Sequence, residues 1–321
     1  MRLTRPGPAS YGLSRARVPV LSLIVFLVLL LAGRGGLAAS ESPARHVIVL
    51  SLDGARADAV QAAVPAPLAA SGTVSWTAQT ITPSSTLPSH ASMLSGVSPA
   101  LHTVTFNDWR PGQPHFRRTT VFTEVTRAGG KAAAFVHKPK LLTFTPPGSV
   151  AMAQHLLYPR FRQADVVDLA ARYFIEQRPA LLFIHVADPD AIGHVRGWMT
   201  PQYRSVVGEV PRLIERLLRA LETTGTSAQT LLIVTADHGG HLITHGTARP
   251  EDMTIPWMAF GGAAAPGMVI RRPIVIYDTA ATVLAALGIA IPADWQGRPI
   301  EEALKHVVQP AGGGTDGNPR R

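Results

Sequence analysis

Three short stretches of this chain carry side chains that could do chemistry together. "SLDG" closes an apolar run at Asp53, "DPDAIGH" holds Asp188, Asp190 and His194, and "ADHGGHLITHG" holds Asp237, His238, His241 and His245. A single aspartate after an apolar run ordinarily caps a helix or makes a turn. Three such positions gathered at one place repel one another unless positive charge sits among them, and a metal ion supplies it. Carboxylate and imidazole donors without sulfur suit zinc, with manganese or another divalent ion as the alternative. His241 is open at this level: a ligand, or a neighbour of ligands. His102, His115, His155 and His306 stand apart from these stretches and read as structural or surface residues.

A fourth stretch, "ITPSSTLPSHASMLSG" (residues 81–96), places Thr86 where a helix begins. Its hydroxyl could serve as an N-cap, with Pro88 tolerated in the first turn. It could equally be a nucleophile, since coordination to a metal stabilises an alkoxide that is otherwise scarce at neutral pH.

Such residues need elements to hold them. "HVIVLSLD", "KAAAFVHK", "ALLFIHVAD" and "TLLIVTAD" predict buried strands, and "IPWMAFGG" is a weaker strand signal. Between them "DVVDLAARYFIEQ", "YRSVVGEVPRLIERLLRALETTG" and "YDTAATVLAALG" have helical periodicity, and "ARADAVQAAVPAPLAASG" predicts a helix interrupted at Pro65. Continuous apolar strands alternating with helices predict an α/β fold, a mainly parallel central sheet with helices on both faces. The carboxyl ends of parallel strands share one edge, where ligands bind, and three strands end there in aspartate. The polar segment 100–129 reads as an irregular cap over one end of the sheet.

The 321 residues are 46% apolar and only 16% charged, against about 25% charged in a typical domain. This favours a well-buried core over disorder. The net charge of +9 is unevenly spread: Arg2, Arg5, Arg15, Arg17 and Arg34 supply five of those charges before the first acidic residue, Glu41. No arginine-rich helix or basic–aromatic ladder comes after them, which argues against a nucleic-acid-binding surface. The same arginines flank "VPVLSLIVFLVLLLAG" (residues 18–33), followed by the small residues of "GRGGLAAS". That pattern predicts an export signal, or alternatively an uncleaved membrane anchor, and either places the domain outside the cytoplasm. The absence of cysteine excludes disulfides, thiol nucleophiles and thiolate ligands. The expected organisation is a signal or anchor over residues 1–40, one folded domain over 41–308, and a linker-like tail over 309–321.

Taken in order, "SLDGARAD", "TLPSH", "DPDAIGH", "ADHGGH" and "THGTARPEDMTIPW" resemble the nucleotide pyrophosphatase/phosphodiesterase branch of the alkaline phosphatase superfamily, over roughly Val47 to Phe260. The resemblance implies two zinc ions, one held by Asp53, Thr86, Asp237 and His238, the other by Asp190, His194 and His245. It implies Thr86 as nucleophile, a phospho-threonine intermediate, and Asn107 with the helix-start amides near Leu87 as phosphoryl contacts. The substrate it implies is a small phosphorylated molecule, with a phosphodiester or pyrophosphate bond cleaved. Leu87 stands where the family often has an aromatic residue for a nucleobase, which weakens nucleotide preference. Thr86 also cannot become formylglycine, which argues against a sulfatase. "VHKPKLLTF" places Lys138 and Lys140 as the monoester and phosphonoacetate hydrolases of the superfamily place paired basic residues, so those activities are the alternative. If the two lysines instead lie in a solvated loop, they contact no substrate. A non-catalytic metal-binding ectodomain is the reading from outside enzymology.

Overall fold

Strands that are apolar on both faces fold stably only when helices cover both sides, and the chain meets that requirement around one eight-stranded sheet. A computed structural model describes residues 44–305. The predicted signal or anchor segment, the predicted tail and His306 lie outside the described residues. The strands are β1 (His46–Leu52), β2 (Thr73–Gln79), β3 (Ala132–Val136), β4 (Met152–His155), β5 (Leu181–Val186), β6 (Thr230–Ala236), β7 (Thr254–Phe260) and β8 (Met268–Val269). Their order across the sheet is β4-β3-β5-β1-β6-β7-β2-β8.

The register does the positioning. Leu52 lies opposite Val186 of β5 and Ala236 of β6, both parallel to β1. The next residues on the three strands, Asp53, Ala187 and Asp237, therefore emerge level at one edge. β7 runs antiparallel to β6, and β2 antiparallel to β7, so β2 again points toward that edge. The helix Thr86–Ser95 comes after β2 there, and the loop between β6 and β7 carries His241 and His245 across the same edge.

Helices Gln163–Gln177, Val210–Thr224 and Ala57–Ala63 pack as one layer, and Thr86–Ser95, Val121–Arg127 and Asp278–Ala286 as another. The sheet's central strands are almost wholly buried between them. The helix Val210–Thr224 shows how sequence pattern becomes packing: Leu213, Ile214, Leu217 and Leu221 recur at helical spacing and are all buried.

Three local expectations change. The segment 100–129 is largely irregular, but it ends in the helix Val121–Arg127, whose Val121, Phe122 and Val125 enter the core. The stretch read as one helical run breaks at Gly208 into Pro201–Val207 and Val210–Thr224. Strands β2, β4 and β8 have no counterpart in the sequence pattern, because none is a continuous apolar run. The break at Pro65 is present, between Ala57–Ala63 and Ala66–Ala70.

Candidate active site

Thr86 is the first residue of its helix, and Ser85 is the N-cap, with no side-chain capping bond. The capping expectation for Thr86 is thereby corrected: its hydroxyl holds no first-turn amide. Thr86 is fully buried, and its Oγ1 accepts a hydrogen bond of 3.0 Å from the Lys138 ammonium. The same Lys138 Nζ lies 2.6 Å from Asp53 Oδ2 and 2.7 Å from Asp190 Oδ2. Lys140 Nζ donates to Asn107 Oδ1 at 2.8 Å. Both lysines thus turn into this cluster rather than into a solvated loop.

Asn107 Oδ1 also accepts the Leu87 N–H at 2.9 Å. Two donors on that oxygen fix the amide's orientation and leave Nδ2 free to donate. The expectation that several helix-start amides face a phosphoryl group is narrowed. Leu87 N–H is engaged, Pro88 has none, and Ser89 N–H bonds Ser85 O.

The three imidazoles share one arrangement. Nδ1 of His238 donates to Gly239 O at 2.8 Å, Nδ1 of His194 to Ile243 O at 2.9 Å, and Nδ1 of His245 to Ser84 O at 2.9 Å. A carbonyl can only accept, so each Nδ1 carries a proton and Nε2 is turned to the carboxylates. His194 Nε2 lies 3.3 Å and His245 Nε2 3.5 Å from Asp190 Oδ1. His238 Nε2 lies 3.4 Å from both Asp53 Oδ1 and Asp237 Oδ2. His241 differs, because its Nδ1 pairs with the buried Asp252 at 2.7 Å.

These residues fit divalent metal. Asp53 Oδ1, Asp190 Oδ1, Asp237 Oδ2 and His238 Nε2 are all buried without a hydrogen-bond partner, an arrangement that is costly unless a cation coordinates them. Donor atoms of Asp190, His194 and His245 lie within 4.8 Å of one another, as do those of Asp53, Asp190 and His238. Asp190 thus borders both groups. Electrostatics agree: burial and the neighbouring Asp53 push the Asp237 carboxyl up to about 7. Burial opposes charge on His238, yet Asp237 and Asp53 outweigh it and raise its pKa to about 9. Lys138 is likewise held above the ordinary lysine range by Asp190 and Asp53, against burial. Burial and Lys138 instead depress Lys140 to about 8. The cluster carries more negative charge than one lysine balances.

Two buried histidines were missed in the sequence. His185 Nε2 donates to Asp53 Oδ2 at 2.8 Å, orienting that carboxylate. His90 bridges Thr86 O at 2.7 Å and Ser51 Oγ at 2.9 Å, tying the Thr86 helix to β1. The available signal was a histidine inside the apolar run "LLFIHV", a polar residue that needs a buried partner.

Gly54 fixes the spacing of the carboxylates. It adopts φ +69°, and a Cβ there would meet Asp190 Cα and Cβ at 2.9 Å. Its N–H donates to Asp237 Oδ1 at 3.1 Å, while Trp198 Nε1 and the Tyr203 hydroxyl donate to its carbonyl at 2.9 and 2.8 Å. Gly54→Ala is expected to cost about 1–3 kcal/mol through backbone strain and to push Asp53 away from Asp190. Urea denaturation and zinc titration of the variant check both effects; unchanged stability and metal affinity would show that the close approach is not required.

The fold and the site define an α/β phosphoesterase-like protein with candidate metal-binding carboxylate and imidazole groups. Residues 47–254, more than half of the chain, match the type I phosphodiesterase / nucleotide pyrophosphatase family, and the chain belongs to that family. A 2,3-bisphosphoglycerate-independent phosphoglycerate mutase from Thermomicrobium roseum is 26% identical over 196 residues, 58% of this chain and 36% of the mutase. The catalytic subunit of human GPI ethanolamine phosphate transferase 2 is 29% identical over 143 residues, 40% of this chain and 14% of the transferase. The chain therefore spans well under half the length of these relatives. Murine ectonucleotide pyrophosphatase/phosphodiesterase 5, solved as an inactive variant in complex with AMP, superposes with TM-score 0.65 at 16% identity, covering 77% of this chain and 96% of that one. The human counterpart gives TM-score 0.65 at 16% identity, covering 81% and 100%. At these identities the likeness establishes the fold.

Proposed function

We propose that the protein is an exported hydrolase of small phosphorylated substrates, cleaving phosphodiester or pyrophosphate bonds through a phospho-Thr86 intermediate. The observation that carries this reading is Thr86 Oγ1 itself: buried, free of any capping role, hydrogen-bonded to a lysine, and set among the carboxylate–imidazole groups. In this reading Asp53, Thr86, Asp237 and His238 hold one divalent ion and Asp190, His194 and His245 a second, with zinc ahead of manganese. When bound, the ions neutralise the carboxylates and act as Lewis acids toward the nucleophile and the phosphoryl oxygens. The charge balance supports two: three carboxylates and Lys138 leave about two negative charges, which two divalent ions turn to about two positive ones, a match for a phosphate ester.

The chain's own groups do the rest. Lys138 donates to Thr86 Oγ1 and so favours loss of the hydroxyl proton as the oxygen attacks phosphorus. Asn107 Nδ2 and Lys140 bind phosphoryl oxygens in this reading, which the 2.8 Å contact of Lys140 Nζ with Asn107 Oδ1 supports. His185 and His90 keep Asp53 and the Thr86 helix oriented. Water then cleaves the Thr86–phosphate bond and restores the hydroxyl. The AMP complex of the murine fold relative supports a small phosphorylated ligand. Export rests on the arginine-flanked apolar run at residues 18–33; among the described residues no helix is long and apolar enough to cross a membrane. Turnover of bis(p-nitrophenyl) phosphate by the purified protein tests the proposal. Metal binding with no turnover of any phosphate ester would favour the non-catalytic ectodomain.

One observation favours phosphate monoesters or phosphonates as a second reading: both lysines turn into the site. A monoester brings about two negative charges and a diester about one, so added cations favour the monoester. If Lys138 discriminates, Lys138→Ala lowers monoester kcat/KM by about 10²–10³ and diester kcat/KM by about tenfold or less. p-Nitrophenyl phosphate and methyl p-nitrophenyl phosphate share a leaving group and make the comparison. Equal losses on the two would make Lys138 a support for Asp53, Asp190 and Thr86 rather than a selector of charge.

A further inference from the structure

His137 directly precedes Lys138, and Asp188 stands two residues before Asp190, yet neither has a part in the chemistry above. Both are buried, at 2% and 1% exposure. The Ala187 N–H donates to His137 Nδ1 at 2.9 Å, so Nδ1 is unprotonated and Nε2 carries the proton. With one lone pair taken and the other nitrogen protonated, this tautomer has nothing to offer a metal. Asp188 Oδ1 accepts from Arg162 Nε at 2.6 Å, while Asp188 Oδ2 lies 3.6 Å from His137 Nδ1. The Arg162 guanidinium sits 5.5 Å from the Tyr158 ring centre, and that ring meets the His137 ring edge to face at 5.9 Å. Side chains from four segments thus close a circuit: His137, Asp188, Arg162 and Tyr158.

Stability is a poor account of this circuit. His137 Nε2 and Asp188 Oδ2 are buried without a hydrogen-bond partner, which costs free energy. A buried ion pair is seldom more stabilising than apolar side chains of the same volume. What the circuit supplies is direction. Asp188 is the first residue of the helix Asp188–Arg196, which carries Asp190 and His194. His137 is held from both sides of its peptide: its N–H donates to His185 O at 3.2 Å, and its carbonyl accepts from His155 Nε2 at 3.1 Å. Arg162 joins the two parts from the N-cap position of the helix Gln163–Gln177. Its planar guanidinium fixes the direction of a contact as a flexible ammonium cannot.

We infer that Arg162 is a positioning residue: through Asp188 and His137 it holds the helix carrying Asp190 against the strand end carrying Lys138. The held geometry is the one in which Lys138 Nζ meets Asp190 Oδ2 at 2.7 Å and Thr86 Oγ1 at 3.0 Å. The effect on turnover rests on the phosphoesterase reading above; the geometric effect does not. Arg162 itself stands outside the Thr86 cluster, with its side chain 49% exposed. Removing it opens a gap that a small planar cation can enter from solvent.

Arg162→Ala is expected to lower kcat for bis(p-nitrophenyl) phosphate about 10–100-fold, with KM within about threefold of the wild type. Millimolar guanidinium is expected to restore most of that loss without raising the wild type, and methylammonium is expected not to, because it lacks the planar fork. Arg162→Ala leaves Asp188 buried without its cation, so Arg162→Ala/Asp188→Asn, which removes the charge as well, is the second variant. Its kcat is expected to stay at least about tenfold below the wild type. Wild-type turnover in the double variant would show that Arg162 only neutralises a buried charge, and would overturn the inference. So would a change confined to KM, or folded Arg162→Ala that guanidinium does not rescue; each leaves the phosphoesterase reading intact. If no ester turns over, crystals of the full-length wild type and double variant grown alike decide independently. A Lys138 Nζ–Asp190 Oδ2 separation beyond hydrogen-bond reach in the variant alone supports positioning by Arg162; the same separation in both overturns it.

Discussion

Thr86→Ala is expected to lower kcat/KM for phosphate esters by at least about 10³-fold, because removing a covalent nucleophile leaves only the binding and electrostatic parts of catalysis. Its effect on folding is expected to be small. Thr86 Oγ1 caps no helix amide, and its bond to Lys138 is worth about 1–3 kcal/mol as a charge-assisted contact. The two carboxylates that hold Lys138 remain. Thr86→Ser keeps the hydroxyl and is expected to retain measurable turnover. Rapid acid quench of the wild type during turnover is expected to trap a phosphoryl adduct on Thr86, read by mass spectrometry and absent from Thr86→Ala. Normal turnover by Thr86→Ala, in protein with native thermal unfolding, would remove Thr86 from the mechanism.

Removing metal is the second large effect. Chelation is expected to abolish turnover, with zinc restoring it best, and elemental analysis of active protein is expected to find about two divalent ions per chain. The expected stability change comes from linkage. An ion at 100 times its Kd adds about 2.7 kcal/mol to the folded state, so a zinc titration raises Tm. His245→Ala removes an Nε2 that faces Asp190, and is expected to abolish binding at one site and shrink the Tm shift. His241→Ala leaves the ion count unchanged, because His241 Nδ1 is already paired with Asp252. Full activity in protein shown to be metal-free, or greater metal loss from His241→Ala than from His245→Ala, would overturn the ligand assignment.

Aspartates at strand ends, the histidines behind them, and Thr86 at a helix start were legible in the sequence because each is local. A continuous apolar run makes a buried strand, and the residues just past the run must emerge at its end. Asp53, Asp190 and Asp237 could therefore be placed on one sheet edge from local pattern. Parallel pairing and its covering helices come from the same runs, since a strand apolar on both faces must be buried on both.

Other features depended on contacts between residues far apart in the chain. The antiparallel entry of β7 and the insertion of β2 beyond it reflect which sheet edge remained to be paired, and no local pattern records that. His185 reaches Asp53 across 132 positions, and Lys138 meets Thr86 and Asp190 across 52 each. Asn107 Oδ1 joins the Leu87 N–H to Lys140, so the Asn107 amide orientation exists only in the folded chain. Spacing alone left His241 open, and the fold answers it by pairing His241 Nδ1 with Asp252 while turning His245 Nε2 to Asp190. The sequence by itself determined the chemical types available at the site and the strand ends that deliver them, because those are set by local pattern. Tertiary structure alone decided which nitrogen faces which carboxylate and which lysine reaches the nucleophile, because each is a distance between side chains that only packing brings together.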